Sequence, residues 1–229
     1  MNYFREEYGS TDFYYKHFYA ESRGCASSFP LKFLSSYPHR LMESNHRSNS
    51  GKKILELGFG RGEHLEFEMD DFDSYIGVDL RTFKDTAELR NPRVRLLKGD
   101  AEVLEFADSS FDRVIVTCLL AHLANPEKAL LEWRRVAKER GDLTIYLPAD
   151  PGLSLRVFRR LVSKKWATRN GFEGYDLFIA REHRNSFSNL KVLIHEIFYG
   201  SEIVFKSRPF PGLGWYVNLF AIVEIKLRK

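Results

Sequence analysis

Five short apolar runs constrain this chain more than any other feature. They are Lys53–Leu57, Tyr75–Asp79, Val94–Asp100, Asp112–Thr117 and Asp142–Leu147, and they alternate with stretches of helical spacing. Strands that alternate with helices pair in parallel through right-handed crossovers, because sequence neighbours on one sheet can only be joined that way over such distances. The predicted fold is therefore α/β, a doubly wound and mostly parallel sheet. The clearest helix lies between the fourth and fifth runs. Asn125 suits its cap and Pro126 its first position, while Leu130, Trp133 and Ala137 share one face; Arg134, Arg135, Lys138 and Arg140 gather near its end before Gly141.

In such sheets ligands bind beyond the carboxyl ends of the strands. Three successive strands end in acids there: Glu56 before a glycine turn, then Asp79 and Asp100, spaced 23 and 21 positions apart. The topology predicts that they meet in one crevice, and ionisable groups clustered in a cleft point to function. The first turn reads Glu56-Leu57-Gly58-Phe59-Gly60-Arg61-Gly62. Its glycines let the backbone turn sharply and let a ligand approach the main chain. A dinucleotide would set an anionic pyrophosphate on this turn, where Glu56 would repel it. The third glycine of the dinucleotide fingerprint is also replaced, by Glu63. The pattern excludes NAD and favours a ligand with a cationic group at that end.

These residues resemble the class I S-adenosylmethionine-dependent methyltransferases. The resemblance rests on the acid and glycines of Glu56–Gly62, on Gly77-Val78-Asp79-Leu80, on Gly99-Asp100-Ala101-Glu102, and on Phe111–Leu123 followed by Asn125-Pro126. It is dense over residues 50–150 and loose outside them. It implies a seven-stranded sheet with helices on both faces and an antiparallel last strand, and S-adenosylmethionine as cofactor. By the same resemblance Glu56 orients the turn and attracts the methionine ammonium. Gly58, Gly60 and Gly62 form the turn, and Asp79 accepts both ribose hydroxyls. Asp100 accepts from the adenine amine while the Ala101 amide donates to a ring nitrogen, with Glu102 beside them. Thr117 lies below the methionine part, and Phe59 and Leu80 flank the adenosine. His122 is the candidate base, with a structural histidine as the competing reading. Tyr14, Tyr15 and His17 are candidates for a lid or for acceptor contact, and the pair His183 and Arg184 for facing the acceptor.

The remaining zones follow from texture. Residues 1–50 read as a helical lid region, 51–148 as the cofactor-binding core, 149–200 as a basic helical insertion that selects the acceptor, and 201–229 as a closing hairpin. Ile203–Phe205 and Tyr216–Ile225 are its predicted strands. Between Pro151 and Asn170 stand Arg156, Arg159, Arg160, Lys164, Lys165 and Arg169 with no acid, and Leu153, Val157 and Leu161 recur at four-residue steps. This amphipathic basic helix fits a cover for the sheet. It fits equally a clamp for a phosphorylated, nucleotide-linked or lipid-linked small molecule, or a membrane-surface contact. An RNA acceptor is the weaker alternative, since no RNA-binding module is recognisable; a non-catalytic binding scaffold is a third.

Composition agrees with a self-sufficient fold. At 229 residues the chain can bury a core without a staple, and its 14% aromatics can furnish both core and pocket. Cys25 and Cys118 form no Cys-x-x-Cys pair, so neither a disulfide framework nor a structural metal is expected, and a reduced cytoplasmic protein is. The net charge of +4 supports an anionic partner only where the charge is concentrated. The longest nearly apolar run, Val114–Ala124, is too short to cross a bilayer. Oligomeric state is left open.

Overall fold

In a computed structural model, the described residues are 31–44, 48–68, 71–81, 91–169 and 171–228. They build a seven-stranded sheet in the order β3-β2-β1-β4-β5-β7-β6. The strands are β1 (Lys53–Leu57), β2 (Ser74–Asp79), β3 (Val94–Lys98), β4 (Phe111–Thr117), β5 (Ala137–Pro148), β6 (Glu202–Arg208) and β7 (Phe220–Lys226). The first five pair in parallel, whereas β7 runs antiparallel to both β5 and β6. The doubly wound sheet with its reversed last strand is thus present.

Alternation along the central strands gives the sheet two apolar faces. Leu55, Leu57, Val114, Val116, Leu143 and Ile145 point to one face. There they meet helices α2 (Pro126–Val136) and α6 (Phe187–Ile197) through Trp133, Leu130, Phe187 and Ile194. Ile54, Ile115, Tyr75 and Ile222 point to the other face, where helix α1 (Leu31–Ser44) packs with Met42 and Tyr37. A third, small cluster of Ala167, Phe172, Tyr175 and Phe178 holds the inserted helices together. These are α3 (Leu153–Phe158), a π-helical turn (Arg159–Ser163), α4 (Lys164–Arg169) and α5 (Tyr175–Glu182).

Several sequence expectations shift. Helix α2 begins at Pro126 as predicted, yet Asn125 makes no side-chain cap; its amide group donates instead to Glu102 Oε2 at 3.0 Å. The fifth strand starts at Ala137, directly after the helix, so Lys138 and Arg140 lie in the strand. The last strand begins at Phe220, because Trp215–Val217 forms a 3-10 turn. Of the Leu153, Val157 and Leu161 row, none is buried; Leu155 and Ala167 turn inward in its place. Between β1 and β2 the regular helical piece among the described residues is a 3-10 turn, Leu65–Phe67.

That shortened crossover serves a buried polar network under the sheet. Arg113, wholly buried near the start of β4, donates two hydrogen bonds to Glu43 of α1, at 2.9 and 2.8 Å, and lies 3.7 Å from Glu68. His64 joins Glu43 at 2.9 Å and His39 at 3.1 Å. Burial penalises the Glu43 carboxylate, but hydrogen bonds from His64 and Arg113 outweigh it and hold its pKa at about 2. The network ties α1 to the sheet.

Candidate active site

The carboxyl ends of β1, β2, β3 and β4 lie side by side, and the glycine turn crosses them. Gly58, Gly60 and Gly62 all take positive φ, at 75°, 56° and 83°, which other residues adopt only with strain. Gly58 donates its amide to the Val78 carbonyl at 2.9 Å, and Gly60 donates to Asp79 Oδ2 at 2.9 Å. Asp79 Oδ1 accepts from Arg81 N at 2.9 Å. The Asp79 carbonyl accepts from Gly99 N at 3.0 Å, and Asp100 Oδ1 takes the Glu102 amide at 2.9 Å. Two carboxylates therefore stand at adjacent strand ends, Asp79 half-buried and Asp100 exposed. Leu80 follows Asp79 with its side chain 56% exposed.

Glu56 belongs to the same edge in a different role. It is buried, accepts from the Tyr75 hydroxyl at 2.8 Å and contacts Thr117 Oγ1 at 3.3 Å. Thr117 also donates to the Gly58 carbonyl at 3.0 Å. Burial pushes the Glu56 pKa well up against these hydrogen bonds, so the carboxyl favours its neutral form. In that form it braces the turn and does not present the negative charge expected to draw an ammonium.

Phe59 and Glu102 depart from expectation. Phe59 does not flank the cleft: it is 1% exposed, and its ring fills the space above Gly77, where any Cβ would collide with it at 2.4 Å. Glu102 is turned to the start of α2, accepting from the Asn125 amide at 2.9 Å as well as from its side chain. Ala101 is buried, its carbonyl accepting from Trp133 Nε1 at 2.9 Å. Tyr14, Tyr15 and His17 lie outside the described residues.

A second group of side chains sits beyond β4 and β5. His122 ends a 3-10 turn, Leu120–His122; its Nδ1 is buried with no hydrogen-bond partner among the described residues. That atom lies 3.8 Å from Glu182, and the ring meets His183 edge to face at 4.6 Å. Burial works against the His122 imidazolium, but Cys118 and Glu182 outweigh it and raise the pKa to about 9. Arg159 donates to Asp150 at 2.7 Å and meets His183 Nδ1 at 3.0 Å. The same Nδ1 lies 3.1 Å from Asp150, and burial lowers the His183 pKa against that contact. Arg184 is exposed and its Nε donates to the Arg181 carbonyl at 3.0 Å, while Arg159 stands beside His183. Cys118 itself holds φ at 53°, a strained conformation that concentrates at functional sites.

The sequence reading missed Asp150 and Glu182, and it named Arg159 only as one of six bases in the insertion. Asp150 had a usable signal, since it follows the carboxyl end of β5 just as Asp79 and Asp100 follow theirs. Glu182 had none, and only tertiary packing singles out Arg159 among the bases.

These donors fit S-adenosylmethionine. Asp79 is a carboxylate of the kind a ribose diol requires, and among the described residues the turn after Gly62 opens no α-helix whose N-terminus could carry a diphosphate. Fold and strand-end chemistry together resemble those of the class I S-adenosylmethionine-dependent methyltransferases. Residues 55–145 match the family model described as a methyltransferase domain. The chain is 32% identical over 96 residues to a demethylmenaquinone methyltransferase of Renibacterium salmoninarum, covering 42% of this chain and 40% of that protein. The chain spans about half or less of the length of the curated relatives it matches. Among solved structures, the PH0226 protein from Pyrococcus horikoshii superposes with a TM-score of 0.63 at 18% identity, over 94% of this chain and 98% of that one. A methyltransferase from Thermotoga maritima does so at 0.59 and 20% identity, over 85% and 89%. Both share the fold.

Proposed function

We propose that the chain transfers a methyl group from S-adenosylmethionine to a small-molecule acceptor entering from the side of residues 149–200. The observation that carries this is Asp79, closing β2 beside Asp100 and fixed by the Gly60 amide, which orients a carboxylate toward a ribose. Asp100 and the Ala101 amide serve the adenine, and Leu80 packs against the nucleoside. Glu56 and Thr117 keep the turn rigid below the methionine part. When bound, S-adenosylmethionine supplies an electrophilic methyl group on a sulfonium, which leaves as S-adenosylhomocysteine. The chain supplies alignment and exclusion of water, and such positioning is worth roughly 7–11 kcal/mol.

His122 faces the acceptor side. With its pKa at about 9 it is charged at neutral pH, so it holds an anionic acceptor oxygen there and removes a proton only in its deprotonated form. Asp150 and Arg159 fix His183 against it. A relative named for demethylmenaquinone supports the lipid-linked end of the acceptor range, and the lack of an acid along residues 153–169 supports an acceptor or carrier with negative charge. Calorimetry tests the cofactor: S-adenosylmethionine and S-adenosylhomocysteine bind, and NADH does not. Tighter binding of NADH overturns the reading. Methyl transfer to demethylmenaquinone, with none to bulk tRNA or rRNA, is the expected acceptor pattern; the reverse pattern establishes an RNA enzyme.

A further inference from the structure

The outer face of the inserted helices combines two properties that a cover for the sheet does not need. Leu153, Val157 and Leu161 are 47%, 47% and 54% exposed, and they line one side of the segment at four-residue steps. The loop before β7 lies against the start of this segment. Ser154 Oγ donates to the Val217 carbonyl at 2.9 Å, and a Cβ on Gly152 would come within 3.0 Å of the Tyr216 carbonyl. That loop contributes Phe210, Leu213 and Tyr216, at 52%, 57% and 48% exposure. Six large apolar side chains are thus left in water on two neighbouring segments, more than scattered surface residues account for.

Basic groups follow on the same segment toward its carboxyl end, where Leu161 stands among them. Arg156, Arg160, Lys165 and Arg169 are exposed, and residues 153–169 contain no acid. Arg160, Lys164, Lys165 and Arg169, with Leu161 and Thr168, line a shallow open depression of about 570 Å³.

We infer that this face docks on an anionic lipid surface. The bases draw the helix to negatively charged headgroups, while the leucines, Val157 and Phe210 enter the boundary between headgroups and acyl chains. The apolar row decides against a nucleic acid, since a phosphate backbone rewards the bases and gives exposed leucines nothing. Among the described residues no helix is long and apolar enough to cross a membrane, so the contact is peripheral. On the methyltransferase reading, the arrangement has a use: Arg159, from the same segment, reaches Asp150 and His183 on the acceptor side, so an acceptor held in lipid meets the site where the protein touches the bilayer.

Vesicle flotation of the full chain, without donor or acceptor, tests the docking independently of the chemistry. Binding is expected to phosphatidylcholine vesicles that contain phosphatidylglycerol and not to phosphatidylcholine alone, and to weaken as salt rises. Arg160→Ala with Lys165→Ala should lower the partition coefficient roughly 30-fold. Leu153→Gln, Val157→Gln and Leu161→Gln together, with every charge kept, should abolish flotation. Both variants should keep the parent melting temperature and S-adenosylmethionine affinity, which establishes that they fold. Absence of flotation, equal flotation with neutral vesicles, or a triple variant that still floats overturns the inference. So does retention on RNA that the triple variant preserves. A chain that floats yet fails to bind S-adenosylmethionine would sink the cofactor reading and leave the docking intact.

Discussion

Two side chains carry the sharpest expectations. Asp79 is held on both oxygens by backbone amides, so its orientation survives without ligand. Asp79→Ala should weaken S-adenosylmethionine binding by about 1.5–3 kcal/mol, the usual worth of hydrogen bonds to a charged group, as calorimetry would show; unchanged affinity removes Asp79 from the site. His122 ought to impose a pH dependence. If its neutral form takes the acceptor proton, the rate rises with pH until about 9, and His122→Asn should flatten that limb in a profile of initial rates. Gly77 illustrates a different kind of residue constraint. It sits in a strand with no turn to make, and it is glycine because the Phe59 ring occupies the place of a side chain.

Single elements are fixed by pairings that no local pattern advertises. Helix α1 docks through Met42 and Tyr37, but its register is set by the Glu43–Arg113 pair. Removing one partner of a buried ion pair leaves the other uncompensated, at a cost of about 3–5 kcal/mol. Arg113→Ala should therefore lower the melting temperature sharply, whereas Arg113→Met with Glu43→Leu should recover most of the loss. If the single and double variants melt alike, the pair does not anchor the helix. Asn125 teaches the converse lesson: a residue with every qualification for a cap is taken by Glu102 from the preceding loop. The basic helix had alternatives left open for the same reason, since four-residue spacing identifies an apolar row and says nothing of whether anything covers it.

For the molecule as a whole, the buried ionisable groups predict the pH of greatest stability. Burial and His64 press the His39 pKa down to about 3, so its contribution is complete above 6.5 and fades as pH falls toward 3. His64 shifts in the same direction. Burial is overcome by hydrogen bonds in Glu43 and Asp150, both held at about 2, so their contributions fade as pH drops from the normal carboxylate range through 2. His122 runs oppositely: raised to about 9, it stabilises below 6.5 and loses its effect as pH climbs through 9. Neutral buried Glu56 also favours lower pH, one group against three histidines, His39, His64 and the likewise lowered His183, between 4.5 and 6.5. Calorimetric melting temperatures should accordingly peak near about pH 6.5 and fall on both sides. A stability that still rises beyond pH 9 contradicts the environment assigned to His122.

The sequence by itself determined the sheet, the parallel order of its first strands and the acids at their ends. Period-two burial and glycine turns are local properties, and the right-handed crossover rule carries them to a topology. Only the tertiary structure decided which acids keep their charge, because that depends on desolvation by neighbours distant in the chain. It made Glu56 a buried brace, took Phe59 into the core, and brought Asp150 and Arg159 to His183 and Glu182 to His122. Long-range packing sets dielectric and hydrogen-bond partners, and neither can be read from the spacing of residues along one chain.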